Sequence, residues 1–360
     1  MILISVIQYK KSEMKNFIPI WKLGMFIATF LFVSSLSEAQ DVSMHTQGIL
    51  QQEFLNPAYN SFKEYTSFSA YNRMQWDSKF DYSPESYVAN LFVPINQTRL
   101  GINAGVIVED VGLRNTTEFK LSLCNNIRVS SNGYLAFGYS VGFLQNSFDR
   151  DKIISYPDED LSFLLNQTDL NTFYPTVSLG MLYLSRKWFA GISSMTTSLK
   201  KDMDNSQYLP GFDFSCGAMF RLSPWLKMRP GFIMKYYNEK VTKSENGIVN
   251  NNYRVPALYD FSTNFLIADR VWIGTSHRLN QAQTFSLDLL VGKNLKLGYT
   301  FEYGIGDGLN QFNSNGLRLS YLIRKSHGEE EQKINDGMDI WPGSIEIEQP
   351  EVEEVGQVIY

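Results

Sequence analysis

Gly133-Tyr134-Leu135-Ala136-Phe137-Gly138-Tyr139-Ser140-Val141-Gly142-Phe143 is the stretch on which the fold turns. Successive side chains of an extended chain point to opposite faces. One face of this run carries Leu135, Phe137, Tyr139, Val141 and Phe143, and the other carries Ala136, Gly138, Ser140 and Gly142. An apolar face backed by small and polar residues suits a wall with lipid on one side and a polar interior on the other.

Outward from this run the alternation recurs. Leu100, Ile102, Ala104, Val106 and Val108 form one apolar face, and Phe119, Leu121 and Leu123 another, against Glu118 and Lys120. Later runs set Phe285, Leu287, Leu289 and Val291 against Ser286 and Asp288, and Leu317, Leu319, Tyr321 and Ile323 against Arg318. Charges keep to one phase, as expected where a basic side chain facing lipid near the midplane costs about 2–4 kcal/mol.

Candidate strands cover 64–74, 84–94, 98–109, 114–128, 133–148, 173–184, 187–199, 211–222, 225–238, 253–268, 270–278, 282–291, 294–303 and 314–324. Their number is even, as in bacterial single-chain barrels. Many exceed the roughly ten residues that a tilted strand needs to cross a bilayer. Connections after even-numbered strands are tight, as at Ser185-Arg186, Ser223-Pro224, Asp269 and Gly292-Lys293, whereas 149–172, 200–210, 239–252 and 304–313 after odd-numbered strands are long. A soluble β-sandwich would also alternate, but Greek-key connections do not sort by parity. The expected fold is all-β: a transmembrane outer-membrane β-barrel of about 14 antiparallel strands, with short periplasmic turns and long extracellular loops.

The termini frame this barrel. Lys15 and Lys22 precede an apolar stretch from Leu23 to Leu36, followed by Ser37-Glu38-Ala39, so 1–39 reads as a signal peptide, with Met14 as an alternative start. No Cys follows the cleavage site, which argues against a lipoprotein. Residues 40–63 are expected as a periplasmic N-terminal segment, 64–325 as the barrel, and 326–360 as an acidic, disordered periplasmic tail. From Glu329 onward ten acids stand against the single Lys333, which accounts for more than the whole net charge of −5. That balance argues against a nucleic-acid partner. By the alternation Cys124 falls in the polar phase and Cys216 in the apolar one, so two free thiols on opposite faces are expected.

Catalysis finds little support. His45, His277 and His327 have no neighbouring ligand at metal-binding spacing, so no metal or other cofactor is expected. Ser276 and His277 are adjacent on one strand and point to opposite faces. Gly304-x-Gly306-x-Gly308 lacks the strand-then-helix setting of a nucleotide loop.

Phe54-Leu55-Asn56-Pro57-Ala58-Tyr59, followed by Tyr71-Asn72-Arg73-Met74-Gln75-Trp76, resembles the opening of the PorP/SprF family of type IX secretion proteins in Bacteroidetes. Leu179-Gly180, Phe189-Ala190-Gly191, Trp272-Ile273-Gly274 and Leu297-Gly298-Tyr299 resemble later strands of the same family, so the likeness spans about 45–325. The entry to the last strand, Ser314-Asn315-Gly316-Leu317, and the acidic tail depart from its pattern. The resemblance implies a non-enzymatic barrel in outer-membrane lipid that partners periplasmic type IX secretion and gliding subunits and a secreted adhesin. The alternative is a transporter or pore for a small solute.

Within that frame Asn56 and Pro57 are expected to turn the chain into the first strand, with a plug or docking element as the functional alternative. Arg73 is expected to face the lumen and pair with Asp81 or Asp110, with Gln75 beside it and Trp76 as an interfacial anchor. In the tail, Ile345, Ile347, Val352, Val355 and Tyr360 alternate with acids, a pattern suited to strand addition on a basic periplasmic partner.

Overall fold

The computed structural model describes residues 52–323, except 64, 77–82, 96–98, 113, 131–132, 149–170, 186, 195–196, 199–210, 238–239, 246–247, 255–256, 293 and 307–310. The expected signal peptide, the acidic tail with Ile345 to Tyr360, and the loop 149–170 lie outside the described residues.

The strands are β1 (Thr66–Met74), β2 (Glu85–Ile95), β3 (Leu100–Val111), β4 (Arg114–Ser130), β5 (Gly133–Phe148), β6 (Asn171–Ser185), β7 (Trp188–Ser194), β8 (Thr197–Ser198), β9 (Gly211–Ala218), β10 (Phe220–Ser223), β11 (Leu226–Tyr237), β12 (Lys240–Glu245), β13 (Ile248–Arg254), β14 (Leu258–Ile267), β15 (Val271–Arg278), β16 (Ala282–Val291), β17 (Leu295–Gly304) and β18 (Ser314–Ile323). β7 and β8 both pair with β6, and β9 and β10 both pair with β11, so each couple forms one stave. With β12 and β13 set apart as their own two-stranded ribbon, fourteen staves make the wall. Each stave pairs antiparallel with its neighbours in sequence, and β1 pairs with β18 from Thr66↔Ile323 to Met74↔Asn315, which closes the barrel.

Burial follows the alternation. On β4 and β5 the apolar phase is turned outward, with Leu121 at 53% and Val141 at 59% exposure, while Glu118, Ser122 and Ser140 are buried inside. Cys124 is buried and donates to the Gly101 carbonyl at 3.6 Å, whereas Cys216 is half-buried, and both are free thiols.

Two details differ from the sequence reading. The expected strand 211–222 is broken at Met219, beside Pro230 of β11, which has no N–H to complete the ladder. The expected loop 239–252 contains the β12–β13 ribbon, paired antiparallel from Lys240↔Arg254 to Glu245↔Ile248. Between the two strands the sequence reads Asn-Gly, the strongest short hairpin signal. The turn at Ala268 and Asp269 has positive φ at both residues (48° and 54°), as a tight hairpin requires.

Leu121→Arg, at the centre of the lipid face of β4, should lower stability by about 2–4 kcal/mol. Denaturant titration of the refolded barrel in lipid checks this, with Ser122→Thr on the lumen face as a near-neutral control.

Candidate functional site

The chain before β1 enters the barrel at its short-turn end. A one-turn helix α1 (Gln52–Leu55) and a 3-10 turn (Tyr59–Phe62) sit within the short-turn mouth, where their polar groups find partners on the lumen wall. Asn56 makes the corner. Its N–H donates to the Gln52 carbonyl at 2.9 Å, and its side-chain oxygen accepts from the Ala58 N–H at 2.9 Å. That second bond is the local turn available to an Asn side chain. The Asn56 amide nitrogen then donates to the Met181 carbonyl of β6 at 3.1 Å and to the Ile192 carbonyl of β7 at 3.5 Å.

Such close approach to the wall needs a surface without side chains. Gly138 of β5 and Gly180 of β6 are cross-strand partners. A Cβ on Gly180 would strike the Asn56 side-chain oxygen, and one on Gly138 would strike the backbone of Pro57 and Ala58. Gly191 of β7 extends the patch under the Asn56 amide. In the sequence Gly180 and Gly191 stand out only as points of likeness, and Gly138 only as one of the small residues on the inner phase of β5. Their pairing with a segment so far upstream leaves no local signal.

Further bonds fix the segment around the mouth. Ser193 Oγ donates to the Leu55 carbonyl at 2.9 Å, Ser215 Oγ to Gln52 Oε1 at 2.8 Å, and Asn60 Nδ2 to Asn103 Oδ1 at 3.1 Å. Ala58, Tyr59 and Phe62 pack into an apolar cluster with Tyr134, Leu182, Leu184 and Phe189. The Tyr59 hydroxyl accepts from Arg229, whose guanidinium lies 5.6 Å from the Phe189 ring centre. Burial, only partly offset by that cation, raises the Tyr59 phenol above its ordinary value.

Glu53 anchors the other side of the segment. It accepts from Lys63 at 2.7 Å and from Ser69 Oγ at 2.5 Å. Burial works toward its protonated form, but Lys63, with Ser69 and the field of Arg318, holds the carboxyl below its ordinary value.

At the long-loop end the lumen holds a second cluster. Arg73 Nη2 donates to Glu302 Oε1 at 2.7 Å, an acid other than the two named from the sequence. Asp81 lies outside the described residues, and Asp110 sits on β3 opposite Glu85. Arg278 approaches Glu302 at 3.5 Å and Asp260 at 3.8 Å. Gln75 is buried, and its N–H donates to the Pro84 carbonyl at 2.9 Å. Trp76, with φ of 58°, lines a small recess with Arg73, Gln75, Arg278 and Glu302. It stands at the long-loop mouth of the lumen.

Between the two ends Arg318 pairs with Asp288, Lys120 with Glu118 at 3.3 Å, and Lys235 with Asp213 at 3.9 Å. Side chains lining an aqueous channel would stay accessible to water, yet Arg229 and Asp288 are 0% exposed, and Arg278 and Asp260 1%. A recess between the segment and the wall, lined by Glu53, Tyr59, Lys63, Lys296 and Arg318, measures about 40 Å³, room for a few waters. Among the described residues the lumen side chains pack as a polar core.

Ser276 is buried on the lumen side, while His277 on the opposite phase meets Gln283 at 3.1 Å. Among the described residues no three His, Cys, Asp or Glu side chains gather as metal ligands.

The family model for "Type IX secretion system membrane protein PorP/SprF" matches residues 37–321. The chain belongs to the PorP/SprF family. It is accordingly a membrane component of type IX secretion, and its barrel lies in the outer membrane. No curated protein sequence matches the chain. Among solved structures it resembles the CymD monoaromatic hydrocarbon channel at 12% identity and TM-score 0.46, covering 81% of this chain and 95% of that one. It also resembles the Pseudomonas putida toluene transporter TodX at 10% identity and TM-score 0.43, with 78% and 94% covered. A Pseudomonas aeruginosa FadL homologue follows at 9% identity and TM-score 0.43, with 74% and 92% covered. Likenesses at this level carry nothing about what the PorP/SprF chain transports or binds.

Gly180→Leu should prevent the Asn56–Tyr59 turn from seating. The expected result is trypsin cleavage after Lys63 in the variant and protection in the parent, with the barrel itself intact by heat-modifiable gel mobility. Protection in both would mean that the segment does not rest on this platform.

Acid should act on the same segment. A carboxyl held below its ordinary value adds stability above that value, about 4.3 for glutamate, and loses it as the pH falls through the folded value. Trypsin-resistant protein exposed to pH below about 4 and probed with pepsin should lose N-terminal protection before the barrel unfolds, and Glu53→Gln should remove this acid step.

Proposed function

We propose that this PorP/SprF barrel is a non-enzymatic outer-membrane scaffold. Its short-turn face binds periplasmic type IX secretion and gliding subunits, and its long loops contact a secreted surface adhesin. The observation that carries the reading is the filled lumen. Paired charges occupy the interior from Glu302 to Asp288, and the Gln52–Phe62 segment fills the short-turn mouth. With the interior given to packing, the outer rims are the surfaces left for function. The competing reading, a transporter or pore for a small solute, needs a continuous path through that interior.

Tagged full-length protein purified from outer membranes in mild detergent should bring periplasmic secretion subunits with it and show no steady conductance in a planar bilayer. Stable single-channel conductance, with no co-purifying subunit, would replace the scaffold by a pore. Loss of adhesin display on deletion, restored by the barrel in trans, tests the outer-loop contact.

A further inference from the structure

The short-turn rim is basic. Arg99 before β3, Arg128 near the end of β4, Lys187 before β7, Arg221 on β10 and Arg270 before β15 are all exposed there. Arg186 and Lys293, which follow β6 and β16 in sequence, carry the same sign. Among the described turn residues Asp269 is the single acid, and it is held by Lys227 at 2.6 Å. The long-loop side has the opposite bias in sequence, since residues 149–170 hold six acids and two bases.

An acidic segment of the same chain departs from this basic rim. β18 ends at Ile323 on the short-turn side, and from Glu329 to Tyr360 ten acids accompany one lysine, a net charge of −9. Fourteen strands about 4.8 Å apart and tilted by about 40° give a rim perimeter of about 90 Å. The segment of 32 residues from Glu329 reaches about 110 Å when extended, enough to follow most of that rim. Tethering by a short link holds it at millimolar effective concentration, on the order of what weak electrostatic contacts need.

We propose that residues 329–360 dock on the basic short-turn rim of their own barrel as an extended acidic strip. The arrangement satisfies both charge patterns within one chain and covers the rim without a partner. It goes beyond the scaffold reading and is read on the isolated protein; in the assembled machinery the strip and the periplasmic subunits compete for the same rim.

Photo-cross-linking of the full chain in phosphatidylcholine nanodiscs tests it, with p-benzoylphenylalanine in place of Ile347 or Val352. At about 50 mM salt, cross-links should fall in peptides containing Arg99, Arg128, Arg221 or Arg270, and drop about fivefold or more at 1 M salt, where screening acts within about 3 Å. The combined exchange Arg99→Glu, Arg128→Glu, Arg221→Glu and Arg270→Glu should abolish them. A second variant leaves the barrel untouched: Glu346→Gln, Glu348→Gln, Glu351→Gln, Glu353→Gln and Glu354→Gln should weaken the same cross-links. Cross-links that survive charge reversal, that join two copies, or that reach only lipid or the long-loop peptides overturn the proposal. So does an uncross-linked tail above a rim that retains phosphatidylglycerol, which would make the rim a lipid-headgroup site.

Discussion

A sheet in hydrocarbon has no water to satisfy an edge, so every backbone N–H and C=O must pair within it. The β1–β18 ladder meets that demand for this chain, and much else follows from it. Closure brings the two ends of the barrel sequence side by side. It also sets β1 beside β18, and Arg73 reaches past Gly316 to Glu302 on β17. Once the outside is committed to lipid, the charged phase can only go inward.

Inside, the charges are not left facing a channel. Removing one member of a buried ion pair typically costs about 3–5 kcal/mol, because the remaining charge is stranded, although the pair itself need not stabilise. The lumen face thus carries ionic ties between strands, Arg318 of β18 to Asp288 of β16 and Arg73 of β1 to Glu302 of β17. The N-terminal segment completes this core at the short-turn end. Its Asn side chain adds bonds to carbonyls of β6 and β7 that the ladder already holds.

Much of the wall was legible in the sequence, because period-two alternation is strong when lipid lies on one face and Lys120, Asp288 or Arg318 on the other. Each expected strand has a stave in the structure within a few residues. The β12–β13 ribbon escaped notice because it is polar on both phases and has no face to reveal it. The site was legible in part. Asn56 to Tyr59 and Arg73 to Trp76 stood out as motifs, but their partners lie across the barrel, at Gly138, Gly180 and Glu302. No local pattern links residues so distant in the chain.

The glycine platform has a consequence for the order of assembly. Asn56 bonds to residues 125 and 136 positions downstream. Contacts of such long sequence separation are slow to form, because the loop between them must close first. The stretch synthesised before the barrel can thus settle only after β5, β6 and β7 stand beside one another. The earliest part of the barrel sequence to leave the ribosome is among the last to reach its place, and until then the half-built barrel has an unfilled floor.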